Sequence, residues 1–274
     1  MNLSVILITR NEAHHVADCL RSVAFADEWI VVDSNSSDDT RAIAERLGAQ
    51  VVRTDDWPGF GAQKNRALAL ARGRWVLSID ADERVSDELA ASIRRVVAAD
   101  TSLQPGSPGS QDAAAGTVGY ELSRLSSFCG QWMRHGDWYP DRVLRLFRRG
   151  TARFSDDLVH ERLLIEGTAG RLEGELLHDS MPSLDNAIDK MNRYTSGRAL
   201  DRVRAGKRGG LGPALTHALW AFVRCYVLKR GFLDGRLGFV LAVYVAENTW
   251  YRYLKMGLLA GRPDAVNQPT RKGS

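Results

Sequence analysis

Residues 75–83 read WVLSIDADE, a short apolar run that ends in two carboxylates, Asp80 and Asp82, one residue apart. In open α/β sheets, ligands bind at the carboxyl ends of the strands, where acidic oxygens can hold a divalent cation. The sequence has no other Asp-x-Asp. We therefore expect the pair to bind Mg²⁺ or Mn²⁺ together with a diphosphate, the alternative being a solvated turn.

Three similar apolar runs precede this one, at residues 3–9, 29–33 and 49–53. Helical patterns separate the runs, which is typical of a mostly parallel sheet flanked by helices. The helices are predicted over 12–22, between the second and third runs, over 63–71 and over 87–99, with caps at Ser36–Asp39, Gly48 and Ser86. Residues 1–100 are therefore predicted to form a Rossmann-like α/β half.

The composition changes twice beyond residue 100. Residues 101–116 are rich in Pro, Gly and Ser, and they predict an exposed flexible insertion. Residues 117–182 predict a mixed α/β half with strands at 120–128, 143–147 and 172–178. Residues 183–274 predict a helical extension.

The helical extension is basic and aromatic. From Arg198 onward it carries 14 Lys and Arg against four Asp and Glu, so it favours a negatively charged partner. Its apolar segments, 213–228 and 239–259, are interrupted by charges before about 18 residues, so no membrane span is expected. The pattern fits helices lying in a bilayer interface or, alternatively, a helical cap on the catalytic half.

The rest of the composition indicates a folded protein of the reducing cytosol. Hydrophobic residues make up 44% and charged residues 26% of the chain, which argues against disorder. Cys19, Cys129 and Cys225 form no CxxC spacing, so neither a disulfide framework nor a zinc site is expected. The apolar run at residues 3–8 lacks the features of a secretion signal.

Polar clusters also follow the first two strands, at residues 9–12 and 33–37. Both lie on the predicted ligand edge, where Asp33 could accept hydrogen bonds from a base or ribose, although helix capping is the alternative. Neither GxGxxG nor GxxxxGK[ST] is present, which disfavours dinucleotide and P-loop proteins.

The motifs ILITRNEA, VVDSNSSDDT, GAQKNRALALARGRWVLSIDADE and VHE together resemble glycosyltransferase family 2. The later WYPDRVLRLFRR, DDLVHERL and YVLKRGFLDGRLG segments resemble its lipopolysaccharide core β-1,4-glucosyltransferases. The resemblance implies a GT-A fold, an inverting reaction, a UDP-sugar donor and a divalent ion. It places Thr9, Glu12, Asp33, Lys64 and Asp80 at the nucleotide and Asp80 and Asp82 at the metal.

An inverting transfer needs a base for the acceptor proton. The VHE segment points to Glu161, with Asp157 as the alternative, while His160 could orient that carboxylate. His178, at the end of a predicted strand, is a third candidate metal ligand. An acceptor wall is expected from Trp132, Trp138, Tyr139, Arg142 and Arg145, since aromatic faces stack on sugars and guanidinium groups bind phosphate.

The sequence thus predicts an inverting hexosyltransferase, with glucose from UDP-glucose as the best guess. The expected acceptor is a lipid-linked saccharide such as lipopolysaccharide inner core, and the expected location is cytoplasmic, peripheral on the inner face of the cytoplasmic membrane. The alternatives are another cell-envelope transferase with a polysaccharide or polyprenyl-phosphate acceptor, a nucleotidyltransferase and a catalytically silent nucleotide-binding protein. Nucleic acid is not an expected partner, because the basic tail is also apolar.

Overall fold

The computed structural model describes residues 1–102, 117–155 and 161–260. The strands are β1 (Leu3–Thr9), β2 (Glu28–Asp33), β3 (Gln50–Arg53), β4 (Trp75–Ser78), β5 (Glu83–Val85), β6 (Thr117–Phe128), β7 (Gln131–Trp132), β8 (Asp141–Arg148), β9 (Ala152–Phe154), β10 (Leu163–Ile165) and β11 (Thr168–Met181). The helices are α1 (Val16–Ser22), α2 (Thr40–Arg46), α3 (Phe60–Leu70), α4 (Asp87–Ser102), α5 (Leu184–Arg204), α6 (Leu211–Val223) and α7 (Gly235–Ala260).

One mixed sheet carries the ligand edge. Its strand order is β3-β2-β1-β4-β8-β6-β11-β5, with β7 paired to β6. The first four strands of that order are parallel, and β8 then pairs antiparallel with β4. In the parallel part, β1 lies between β2 and β4, so the carboxyl ends of these three strands lie side by side.

Alternating side chains build a core on each face of the parallel strands. Val5 and Leu77 are buried with α1 and α4 residues on one face. Ile6 and Val76 are buried with α3 residues on the other. Both faces are apolar because helices cover both, which is why these strands appear in the sequence as continuous apolar runs.

The predicted α/β architecture of residues 1–100 is confirmed, with differences at element ends. Helix α1 begins at Val16 rather than at residue 12. The reason lies in the preceding loop, where Asn11 has a left-handed φ of 58° and the Glu12 amide donates to Thr40 Oγ1. Helix α4 extends to Ser102, and the rest of the predicted insertion, 103–116, lies outside the described residues.

The chain divides into two compact units. Unit 1 contains residues 1–125 and 141–178, and unit 2 contains residues 126–140 and 179–274. Unit 2 has its own core, in which Phe128, Met191 and Tyr244 are buried together. The predicted division into donor, acceptor and tail regions is based on function, whereas the two units are defined by packing. The predicted division therefore stays a prediction.

The helical tail is confirmed in unit 2. Helix α6 continues into a π-helical turn, Arg224–Leu228, and a 3-10 helix, Gly231–Asp234, precedes α7. The sequence predicts no membrane span, yet Leu211–Leu228 is long and apolar enough to cross a membrane by length and composition. Only 17% of this stretch is buried inside the protein. The stretch also includes one charged residue, Arg224.

Candidate active site

The site forms where β1, β2 and β4 end. Thr9 pairs with Asp33 in the parallel register of β1 and β2. The Ser34 amide donates to the Thr9 carbonyl over 2.8 Å, and the Ile79 amide donates to the Ile6 carbonyl over 3.2 Å. These bonds hold the polar clusters after the three strands at one edge, as the sequence predicts.

Asp33 is the centre of the hydrogen-bond network between the first two strand ends. Its side chain is fully buried and accepts from Thr9 Oγ1 over 2.9 Å. The Ser36 amide donates to the other oxygen over 2.9 Å, and Ser36 Oγ also donates to the carboxylate. Arg41 Nε lies 3.7 Å from Asp33 Oδ1. Asp33 therefore fixes both loops that a nucleoside would contact.

Asn11 links the same loops, a role that was not predicted from the sequence. Its amide donates to Ser36 Oγ, and its side-chain oxygen accepts from the Ser37 amide, both over 2.8 Å. The left-handed conformation of Asn11 directs both groups toward the β2 loop, and Asn tolerates that conformation better than most residues. An Asn directly after a strand was the available signal.

Glu12 lies close to the acidic motif. Burial raises the pKa of its carboxyl above the ordinary value, against a hydrogen bond with His15, and the negative charge of Asp82 raises it further. The first strand loop and the Asp-x-Asp motif therefore contribute negative charge to one region, which favours a cation there.

The first turns of α3 connect the nucleoside side of the edge to the acidic motif. Gln63 Nε2 donates to Ser34 Oγ over 2.8 Å and to Thr54 Oγ1 over 2.6 Å. Asn65 bonds both backbone groups of Phe154, each over 2.9 Å. Both residues lie in the motif GAQKNRALALARGRWVLSIDADE, but only Lys64 between them has a role predicted from the sequence.

Lys64 joins the acidic motif to the candidate base. Its buried ammonium lies 3.0 Å from Asp80 Oδ1 and 2.8 Å from Glu161 Oε1. Because two carboxylates share one ammonium, their negative charges are kept close without direct contact. The structure thus brings three predicted site residues together that are up to 97 residues apart in the chain.

Arg145 holds the other oxygen of Asp80. Its Nη2 donates to Asp80 Oδ2 over 2.6 Å and to the fully buried Glu83 over 2.8 Å. Desolvation alone would raise the pKa of Asp80, but Arg145 and then Lys64 hold that pKa well below its usual range. Asp80 is therefore a carboxylate between two cations.

The expected acceptor role of Arg145 stays a prediction, and the structure gives this residue a supporting contact that the sequence did not predict. The side chain is buried, its guanidinium supports the acidic motif, and Arg124 also lies 3.4 Å from Glu83. An arginine enclosed by two carboxylates has little surface left for an acceptor. Arg145 is skipped where β6 pairs with β8, because Tyr120 pairs with Leu146 and Glu121 pairs with Leu144, and the sequence alone does not reveal such an irregularity.

Asp82 and His178 are two predicted metal ligands that the structure brings together. Asp82 Oδ2 lies 3.3 Å from His178 Nε2. Two adjacent ligands of an octahedral Mg²⁺ or Mn²⁺ ion lie about 3 Å apart, so one carboxylate and one imidazole are placed as such a pair. Among the described residues no group of three His, Cys, Asp or Glu meets the geometry of a complete site. Asp80, the other predicted ligand, faces Lys64 and Arg145 instead.

Glu161 is placed beside α3 by a glycine. A Cβ at Gly61 would lie 1.9 Å from the Ser155 carbonyl oxygen and 3.4 Å from the Glu161 Cβ. Only glycine therefore allows this approach of the chain to the helix. The alternative base, Asp157, and His160 lie outside the described residues.

The remaining acceptor candidates are divided between the two units. Trp138 packs against Phe128 and Tyr244 in the core of unit 2, with ring centroids 5.7 and 6.4 Å away. Tyr139 precedes a cis proline in the same unit. Arg142 is exposed on β8 in unit 1. Packing accounts for Trp138, and the acceptor role of all three stays a prediction.

Comparison with known proteins gives concordant matches. A family model described as glycosyl transferase family 2 matches residues 4–103. An uncharacterized glycosyltransferase of Rickettsia conorii is 32% identical over 270 residues, covering 93% of this chain and 89% of the relative. The lipopolysaccharide core biosynthesis glycosyltransferase LpsC of Rhizobium meliloti is 28% identical over 264 residues, covering 92% and 93%.

A solved structure is also similar. The crystal structure of S. aureus TarS matches with a TM-score of 0.45 and 17% sequence identity. The match covers 72% of this chain and 40% of that one, so the matched part spans less than half the length of TarS.

Proposed function

The chain belongs to glycosyltransferase family 2, and from this membership we propose that it moves a hexose from a UDP-sugar to a hydroxyl of a lipid-linked saccharide, with inversion. Its fold is GT-A, a Rossmann-like half joined to a mixed-sheet half with C-terminal helices. Glucose is the proposed sugar, and lipopolysaccharide inner core is the proposed acceptor.

The observation that supports this most directly is the bridge from Asp80 through Lys64 to Glu161. A transferase must hold the sugar diphosphate and deprotonate the acceptor within one site, because the two steps belong to one displacement. A motif for the donor and a carboxylate for the acceptor, joined by one ammonium, meet that requirement.

The donor would lie along the strand ends. The loops fixed by Asp33 are the proposed seat of the nucleoside, with Thr9 and Glu12 beside it. The diphosphate would lie toward Asp82 and His178. A divalent ion bound there would supply Lewis-acid stabilisation of the departing UDP.

Glu161 is the proposed base. Its carboxylate takes the proton of the acceptor hydroxyl as that oxygen bonds the anomeric carbon, and the bond from that carbon to the UDP oxygen breaks. Such a base contributes about 10²- to 10⁴-fold in rate. Lys64 contacts both this carboxylate and Asp80 and so holds the two carboxylates side by side, which makes Lys64 a positioning residue.

The acceptor assignment rests on likeness to LpsC, whose name places it in lipopolysaccharide core biosynthesis. The exposed Arg142 is available for a phosphate on such a core. A lipid-linked acceptor also implies a cytoplasmic enzyme peripheral on the inner membrane face. Another cell-envelope acceptor, a polysaccharide or a polyprenyl phosphate, is the alternative.

The test measures UDP release from a panel of UDP-sugars with Mn²⁺ or Mg²⁺, with and without deacylated core oligosaccharide. Release that needs metal, acceptor and Glu161 supports the proposal and identifies the donor. Glu161→Gln should lower turnover at least about 100-fold and leave donor binding intact. The matched variant Glu166→Gln, five residues away in a turn, should retain turnover.

Two outcomes would change the assignment. If Asp157→Asn abolishes turnover while Glu161→Gln does not, the base is Asp157. If UDP-sugars bind but are never turned over with any acceptor, the protein is a nucleotide-binding protein rather than a transferase.

A further inference from the structure

Helix α6 buries small side chains and exposes large apolar ones, which is the reverse of the usual pattern in a soluble protein. Its buried residues are Ala214 and Ala221. Leu211, Leu215 and Leu219, spaced four residues apart on another face, are 63%, 55% and 67% exposed. A helix of a soluble protein normally turns its large apolar side chains to the core. Helix α6 instead exposes its leucine side chains to solvent.

Small residues directly before α6 pack closely on α7, and the buried residues of α6 itself are alanines. The contact uses small residues: a Cβ at Gly209 would lie 2.4 Å from the Tyr253 carbonyl oxygen, and one at Gly257 would lie 2.8 Å from the Gly210 Cα. The Gly210 amide donates to that Tyr253 carbonyl over 3.0 Å. Small residues between helices and large apolar residues outside are typical of helices surrounded by lipid.

The exposed apolar surface continues past α6. We call it the α6 surface, and it comprises Leu211, Leu215, Leu219, Trp220, Val227, Leu228, Phe232, Leu233 and Phe239, each at least 47% exposed. Nine exposed large apolar side chains between residues 211 and 239 are unusual for a protein that stays in water, and they indicate an interaction site.

Cations border the α6 surface. The exposed ones between residues 205 and 239 are Lys207, Arg208, Arg224, Lys229, Arg230 and Arg236. The one carboxylate in that range is Asp234, which is bonded by the amide and ring of His135. The border is therefore strongly positive, and it complements a negatively charged partner.

We propose that the α6 surface embeds in the interface of an anionic phospholipid bilayer, with its leucines and Trp220 among the acyl chains and its cations at the headgroup phosphates. This adds to the proposed function the surface by which the enzyme reaches a lipid-linked acceptor. The reversed burial of α6 and the positive border carry the inference, and neither depends on the transfer reaction.

The helix lies in the interface rather than across the membrane. At 1.5 Å per residue, the 18 residues of Leu211–Leu228 extend about 27 Å, a little less than the hydrocarbon core of about 30 Å, and Arg224 lies within them. The π-helical turn that follows α6 starts with Arg224, whose guanidinium is 2.7 Å from Asp137. An ion pair at this point keeps the end of the segment at the polar level.

The experiment is co-sedimentation of the full chain with phosphatidylcholine vesicles and with vesicles containing phosphatidylglycerol, without donor or acceptor. The double variant Leu215→Asp, Leu219→Asp should weaken binding to anionic vesicles at least about tenfold. Lys229→Gln should weaken it about fivefold on anionic vesicles only. The control, Ile188→Asp, changes a residue of α5 that is 46% exposed and outside the α6 surface, and it should bind like wild type.

Three results would overturn the proposal. One is equal binding by the wild type and the double variant. Another is a wild-type dimer in solution that the double variant abolishes, because a second copy would then cover the surface. The third is resistance to alkaline extraction from membranes, which would mean that the segment spans. The vesicle assay contains neither donor nor acceptor. Its results can therefore be interpreted even if the transfer assay fails.

Discussion

Gly61 and Ser155 approach so closely that a methyl group on Gly61 would lie 1.9 Å from the Ser155 carbonyl oxygen. The contact lies in the first turn of α3, three residues before Lys64. The chain that leads to Glu161 is therefore positioned against the helix that carries its partner lysine.

Gly61→Ala should lower turnover at least about tenfold, because the Ser155 carbonyl must move and Glu161 moves with it. Steady-state kinetics and thermal unfolding check this. The control is Gly197→Ala in α5, where an added Cβ meets nothing within 4 Å. That variant should gain about 0.5–1 kcal/mol of stability with unchanged turnover. Unchanged turnover in Gly61→Ala would show that Glu161 needs no such placement.

Lys64→Met should lower kcat/KM at least about 100-fold, because Asp80 and Glu161 lose the ammonium that they share. Arg66→Met is the matched control on the same helix, since it removes an exposed ion pair with Asp56. Its effect should be small, as for most surface pairs. Equal losses in both variants would assign the effect to net charge rather than to the bridge.

Arg145→Met should destabilise the protein by about 3–5 kcal/mol, because Glu83 stays buried with its main partner removed. Urea unfolding measures this. Arg142→Met, on an exposed position of the same strand, should change stability by less than about 0.5 kcal/mol. Wild-type stability in Arg145→Met, with a raised acceptor KM, would support the predicted acceptor role.

These residues show where sequence reasoning succeeds and where it stops. The bounds of β1 match the predicted run at residues 3–9 because a strand buried on both faces is apolar throughout. Strand β5 was not predicted, since three residues directly after the acidic turn carry no periodicity. The Asp-x-Asp motif and VHE pointed to Asp80 and Glu161, but the Arg145 pairing spans 65 residues and depends on the order of β4 and β8.

His178→Ala should weaken Mn²⁺ binding in the presence of UDP at least about tenfold, because one imidazole of the candidate ligand pair is lost. Electron paramagnetic resonance of free Mn²⁺ gives the affinity directly. His217→Ala, which removes an exposed histidine stacked on Tyr253, is the control. Wild-type Mn²⁺ affinity in His178→Ala would remove His178 from the metal site.

Glu28 gives a pH dependence of stability that is separate from the site. Burial alone would raise the pKa of its carboxyl, but hydrogen bonds from Ser4 and Arg72 outweigh burial and hold the pKa below its ordinary value. A lowered folded-state pKa stabilises the protein above the unfolded pKa of about 4.3, and the contribution is lost as pH falls through the folded value.

Glu28→Gln should therefore be less stable than wild type at pH 7, and the difference should shrink as pH falls below about 4. Urea unfolding at several pH values measures the difference. The comparison variant is Asp185→Asn, which neutralises an acidic residue in the first turn of α5. A constant difference between pH 7 and pH 3 would contradict the assignment.

The exposed leucines of α6 also bear on how this protein behaves in laboratory evolution. Because the rest of the folded chain does not bury them, they contribute little to the free energy of folding, and polar replacements at 215 and 219 cost little stability. Such replacements also raise solubility. Selection for high soluble yield would therefore accumulate changes in α6 while every fold assay stays normal, and the resulting protein would be well folded but would lack the proposed membrane contact.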